Sequence, residues 1–215
     1  NNSIETNLNI YYVKKKDKFR EYILKGPPES FRMLSWLVYN QIIDRNINIY
    51  HNYLTQNLDK STQSGIIRDI ERTFVSTKDS KDNIRVYETK LYNILKAYAN
   101  LDKELGYCQG TNILVGFLLL IAEGEEIDVF YLLTSIFSST FKERKEAEFS
   151  FRGLFTEEFP LLFYFEFIFN SLLEKNCPDI KAKLDDEGIT FHVWMGSWIQ
   201  TLFSLVLPVS LCARV

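Results

Sequence analysis

The chain has 215 residues, 46% of them hydrophobic and 15% aromatic, with only 9 glycines and 5 prolines. A chain of this size buries about 70% of the surface it exposes when unfolded, and such a composition excludes disorder, collagen-like repeats and low-complexity linkers. With 25 Lys+Arg against 28 Asp+Glu and a net charge of −3, it lacks the broad basic face of a nucleic-acid binder.

In chain order, the N-terminus Asn1-Asn2-Ser3-Ile4-Glu5 has no apolar signal core. A helical segment from Asn7 to Lys25 ends at Gly26-Pro27-Pro28, and Pro28 opens the next helix. Ile66, Ile67, Ile70 and Phe74 share one buried face of a further helix. Asp82 or Asn83 then caps a helix whose stripe is Ile84, Tyr87, Leu91, Ile94, Leu95 and Tyr98. Leu114, Phe117, Leu118 and Ile121 form the next stripe, within an apolar run too short to cross a membrane. Asp128 caps the helix of Phe130 and Leu133, and the charge run Lys142 to Glu148 reads as a solvated face.

Phe159, Phe163 and Phe167 recur every four residues, with Leu162, Phe165 and Phe169 widening the arc, a pattern that predicts core packing. The stretch Gly188 to Ala213 carries no Asp, Glu, Lys or Arg. It is long enough to span a bilayer, but His192, Gln200, Thr201, Ser204 and Pro208 favour a buried helix followed by a proline-marked turn. Hairpin turns and sustained alternation are missing, so the fold class is all-α, with about ten helices in one domain. Cys108, Cys177 and Cys212 are scattered, and His51 and His192 offer no metal-ligand spacing. A disulfide framework and a zinc site are therefore not expected, and a reducing compartment fits.

Two segments carry chemistry. In Ile66-Ile67-Arg68-Asp69-Ile70-Glu71-Arg72-Thr73-Phe74, Asp69 and Arg72 lie three apart, as helical neighbours nearer the opposite face. They are either an exposed ion pair of small worth or an arginine whose planar fork a carboxylate aims in advance. In Leu105-Gly106-Tyr107-Cys108-Gln109-Gly110-Thr111-Asn112, two glycines free the backbone around a Tyr-Cys-Gln core. An ordinary interhelical loop accounts for the glycines, but not for a glutamine, both donor and acceptor, at the tip.

Taken together, these residues resemble a TBC domain, the all-helical module of GTPase-activating proteins for Rab-type small GTPases. Gly26-Pro27-Pro28 through Arg32 and Trp36 is similar to the family's opening segment, Ile66-x-x-Asp69-x-x-Arg72 to its arginine motif and Tyr107-Cys108-Gln109-Gly110 to its glutamine motif. Phe151-Arg152-Gly153-Leu154-Phe155, Phe159-Pro160, Trp198 to Phe203 and Leu207-Pro208 follow in family order. Pro27, Val75 and Thr111 depart from the usual residues without touching a motif's functional position. The resemblance implies a helical lead-in over residues 1–25 and a TBC domain over 26–215. The family pattern continues past Arg214-Val215, so it also implies a domain lacking its C-terminal helices.

The same resemblance implies a mechanism in trans. Arg72 corresponds to an arginine finger and Gln109 to a glutamine finger. Asp69 would orient Arg72, while Arg32, Tyr107, Gly110 and Asn112 would support the two loops. The implied partner is a GTP-bound Rab-family GTPase that brings GTP and Mg²⁺, since this chain has no Gly-x-x-x-x-Gly-Lys-Ser/Thr loop and needs no cofactor of its own. The implied location is cytoplasmic, with recruitment to endomembranes through the partner left open. Two alternatives stand beside it. One is a scaffold of the same fold that binds a GTPase without activating it. The other is a cysteine protease, because Gly106-Tyr107-Cys108-Gln109-Gly110, with His51 upstream, partly resembles the caspase signature Gln-Ala-Cys-x-Gly. The first two positions of that signature fail, and the flanks read as helices.

Overall fold

The computed structural model describes residues 2–74, 81–139 and 150–215. Among them the regular structure is entirely helical. Helices α1 (Asn2–Lys14), α2 (Lys16–Lys25), α3 (Glu29–Tyr39), α4 (Ile47–Thr55) and α5 (Lys60–Ile70) lead to α6 (Lys81–Leu101), α7 (Thr111–Ile121) and α8 (Glu126–Ser139). A 3₁₀ turn, Phe151–Leu154, then precedes α9 (Pro160–Asn176), α10 (Pro178–Asp186), α11 (Phe191–Gln200) and the short α12 (Val209–Cys212).

The expected stripe on α6 forms the centre of the molecule. Leu91, Ile94, Leu95 and Tyr98 are buried and Ile84 and Tyr87 pack partly against them, so α6 touches α4, α5, α7 and α8. Helix α7 is apolar on nearly every side and buries Leu114, Val115, Phe117, Leu118 and Leu119, as a helix enclosed by others must. From α8, Phe137 reaches between Tyr98, whose ring meets it edge-on at 5.2 Å, and Phe155 beyond the 3₁₀ turn, stacked at 5.0 Å. These contacts join α6, α8 and the turn into one core.

Several local expectations need correction. The first segment is two helices, because Lys15 leaves the helical region at φ −142° and ψ 50°. Both helices pack on α3, where Tyr12, Phe19 and Val38 form a small satellite core. Glu5 on α1 accepts two hydrogen bonds from Arg45 at 2.7 and 2.8 Å, and Arg45 Nε also pairs with Asp128 at 2.8 Å. Asp128 therefore lies inside the first turn of α8 as an ion-pair partner, not ahead of it as a cap. Asp82 and Asn83 likewise lie within α6. Among the described residues, Asn46 caps α4 by accepting from the Asn48 N–H, and Asp59 caps α5 by accepting from the Thr62 N–H.

The aromatic stripe of α9 turns the other way. Phe163 is 53% and Phe167 70% exposed, and Phe159 stands exposed in front of the helix at φ 47°. The inward face belongs to Leu161 and Leu162, with Phe165 and Phe169 partly buried beside them. In the uncharged stretch, Phe191 and Gly196 are buried but Val193, Leu205 and Val206 are exposed, so the expected buried helix is only partly covered. No helix among the described residues is long and apolar enough to cross a membrane. The charge run Lys142 to Glu148 lies outside the described residues.

Candidate functional site

Helix α5 is anchored by Ile66 and Ile70, and the turn that follows it by Phe74, all buried. Ile67, expected on that face, is 47% exposed, while Asp69, expected nearer solvent, is 1% exposed. The exchange has a chemical cause: Asp69 is buried because every polar atom it brings inside finds a partner. One carboxylate oxygen accepts from Arg72 Nη2 and the other from the Tyr107 hydroxyl at 2.7 Å. Its backbone carbonyl accepts from Thr73 Oγ1 at 2.7 Å and from Asn112 Nδ2 at 3.4 Å. The pair is therefore neither fully exposed nor merely local to its helix, since Tyr107 arrives from the loop ahead of α7.

That loop turns into α7 through Gly110, whose φ of 103° is open to glycine and strained for any other residue. The buried Asn112 closes the turn by accepting from the Gly110 N–H at 3.1 Å, while its amide donates to Thr73 Oγ1 at 2.9 Å. Asn112 and Tyr107 thus both tie the glutamine loop to the arginine turn. Burial, and then the hydrogen bond to the Asp69 carboxylate, raises the Tyr107 hydroxyl above its ordinary pKa, so it remains a donor.

Arg72 and Gln109 end on a common cleft of about 440 Å³, whose far wall includes Phe159, Ser197, Gln200 and Leu205. The Arg72 side chain is 52% exposed, and Gln109 is exposed. Among the described residues neither Nε nor Nη1 of Arg72, nor the Gln109 side-chain amide, makes a hydrogen bond. Two polar groups thus face one cleft with donors and an acceptor to spare, on backbone held from below. Such an arrangement can receive a charged, hydrogen-bonding group from another molecule.

The other residues singled out from the sequence fall unevenly. Asp69, Tyr107, Gly110 and Asn112 join the two loops. Arg32, on α3, does not line the cleft and forms no hydrogen bond or ion pair with either loop; its Nε is buried without a partner among the described residues. Cys108 lines the cleft, but burial and the nearby Asp69 charge push its thiol up, the opposite of what a nucleophilic cysteine needs.

Sequence reasoning missed two contributors. Thr73 is the hydroxyl through which Asn112 grips the arginine turn. Arg152 donates to both carboxylate oxygens of Asp102 at 2.6 and 2.9 Å, and Asp102 in turn accepts from the Leu105 N–H at 3.1 Å, so it braces the glutamine loop from its other end. The Phe-Arg-Gly-Leu-Phe motif was the visible signal for Arg152, but its partner lies fifty residues away.

The profile of the Rab-GTPase-TBC domain family matches residues 29–215. Over 97% of its length the chain is 29% identical to the Rab GTPase-activating protein eat-17 of Caenorhabditis elegans, of which it covers 22%. It is 28% identical over 91% of its length to the human Growth hormone-regulated TBC protein 1, covering 56% of that protein. The chain thus spans less than two thirds of the curated relatives it matches. The crystal structure of a Chlamydomonas flagellar RabGAP TBC domain superposes on 99% of this chain and 70% of its own with a TM-score of 0.73 at 20% identity, a likeness of fold. With its two motif loops joined beneath one cleft and the family profile running through nearly the whole of it, this chain belongs to the Rab-GTPase-TBC domain family.

Proposed function

We propose that this chain is a GTPase-activating module for a Rab-type small GTPase, supplying Arg72 and Gln109 in trans to the partner's bound GTP. Hydrolysis of GTP is slow because charge developing on the transferring phosphoryl group needs stabilising and the attacking water needs positioning. Arg72 donates to the phosphate oxygens as charge builds. Gln109 accepts from the water through its carbonyl and donates through its amide. GTP and Mg²⁺ arrive with the partner. This reading places the module in the cytoplasm, drawn to an endomembrane by the GTPase it meets.

The observation that carries the reading is the pairing itself: an arginine and a glutamine with unengaged polar atoms line one open cleft, over a buried carboxylate and amide that tie their loops together. Pre-organisation of this kind converts binding into rate, because little reorientation remains when the partner docks. An arginine finger contributes about 10³–10⁵ in rate, or about 4–7 kcal/mol of barrier. The test is single-turnover hydrolysis by a panel of GTP-loaded Rab proteins. Arg72→Ala removes the stimulation, Arg72→Lys fails to restore it, and Gln109→Ala costs nearly as much. Stimulation unchanged by Arg72→Ala rejects the mechanism, and tight binding with no stimulation by the native chain identifies a scaffold instead.

A further inference from the structure

Gly116 lies in the middle of α7, where a glycine weakens a helix relative to alanine and no positive φ requires one. The reason is space. A Cβ built on Gly116 would stand 2.8 Å from Thr73 Cγ2, closer than real side-chain carbons approach, whereas the nearest Phe74 ring atoms at 3.5 Å are in ordinary contact. Thr73 cannot simply rotate its methyl away. Its hydroxyl is fixed on both sides, donating to the Asp69 carbonyl at 2.7 Å and accepting from Asn112 Nδ2 at 2.9 Å. Turning χ1 to clear the methyl would break both bonds.

Asn112 and Gly116 are one turn apart on α7 and so share a face. That face holds Thr73 twice, with an amide for the hydroxyl and an absent side chain for the methyl. Arg72 is the preceding residue, and Gln109 sits on the loop that runs directly into the same helix. We infer that Gly116 is a positioning residue: the gap at Gly116 seats the arginine turn against α7 and thereby sets Arg72 relative to Gln109. This inference rests on the proposed GTPase-activating function.

The experiment is a double-mutant cycle between Gly116→Ala and Thr73→Ser, the second change removing the methyl and keeping the hydroxyl. Stimulated hydrolysis is measured with a GTP-loaded Rab that the native chain activates, over a range of concentrations. Gly116→Ala lowers the maximal rate on the order of 10- to 100-fold, while the concentration giving half that rate changes less than about twofold, because the binding surface stays in place. Adding Thr73→Ser to Gly116→Ala restores most of the lost rate relative to Thr73→Ser alone. The cycle repeated on melting temperature tests the contact without reference to any activity: Gly116→Ala lowers it and the double variant recovers.

A native maximal rate in Gly116→Ala overturns the inference even if the protein melts lower, since the gap then has no bearing on Arg72. Failure of Thr73→Ser to rescue either the rate or the melting temperature also overturns it. Unaltered stimulation by Arg72→Ala, by contrast, sinks the GTPase-activating reading while the melting cycle still reports on the seating. Should Gly116→Ala fail to fold, a folded and active double variant supports the inference, and an unfolded one overturns it.

Discussion

The arginine turn and the glutamine loop meet at one cleft but are held by different physics. The arginine turn rests on a carboxylate removed from water, whose oxygens serve a guanidinium and a phenol and whose backbone carbonyl serves a threonine and an asparagine. At its far end the glutamine loop rests on a partly buried ion pair, Arg152 on Asp102, with the exposed Glu104 as a third member. Fully buried polar groups are costly to leave unpaired, whereas ions that keep some access to water lose less when separated. The first anchor therefore resists change in an all-or-none way and the second yields by degrees.

The largest break comes from the buried anchor. Asp69→Ala leaves the Tyr107 hydroxyl without an acceptor and costs about 1–3 kcal/mol in urea unfolding. It frees Arg72 at the same time, so stimulated hydrolysis falls on the order of 100-fold. Arg152→Ala removes the other anchor at about 1 kcal/mol, and the stimulated rate drops by no more than about tenfold because the arginine turn keeps its own supports. A rate loss as large as that of Asp69→Ala would show that the two anchors are equal.

Acid sharpens the contrast. Burial alone would raise the Asp102 carboxyl, but hydrogen bonds from Arg152 and the Leu105 N–H, with the attraction of the Arg152 charge, outweigh it and hold the group below its ordinary value. A carboxyl lowered by folding contributes stability above its unfolded pKa, near 3.9, and loses it as the pH falls through the folded value. Below about pH 4 the native chain should lose stability faster than Asp102→Asn, as followed by circular dichroism. The smallest effect belongs to Glu104, whose side chain is 87% exposed. Glu104→Gln should shift unfolding by less than about 0.5 kcal/mol.

Much of this molecule was legible in its residues. The stripe on α6 fixed its own inward face because only one side of that helix is apolar. Both candidate segments were visible as motifs, and hydrogen bonds from Tyr107 to Asp69 and from Asn112 to Thr73 run between them. Helix α9 shows what periodicity omits. Phe163 and Phe167 share a face, but so do Leu161, Leu162 and Phe165, and nothing in the spacing says which face meets the core. Ile67 and Asp69 exchanged places for a related reason, since the phenol that makes a buried carboxylate tolerable lies 38 residues away. Arg32 belonged to the implied support but makes no hydrogen bond or ion pair with either loop among the described residues, and Thr73 and Arg152 became meaningful only through partners distant in the chain.

One aromatic contact reaches further than its size suggests. Phe155 stacks on Phe137 in the core, and Arg152, three residues earlier, grips Asp102 at the root of the glutamine loop. The short 3₁₀ turn between them is fastened at both ends. Amides of that turn and the Leu105 and Gly106 amides, both bonded to Asp102, should then trade hydrogen for deuterium together, as one cooperative unit. How long Gln109 keeps its place would be timed by an opening that begins some forty residues downstream of it.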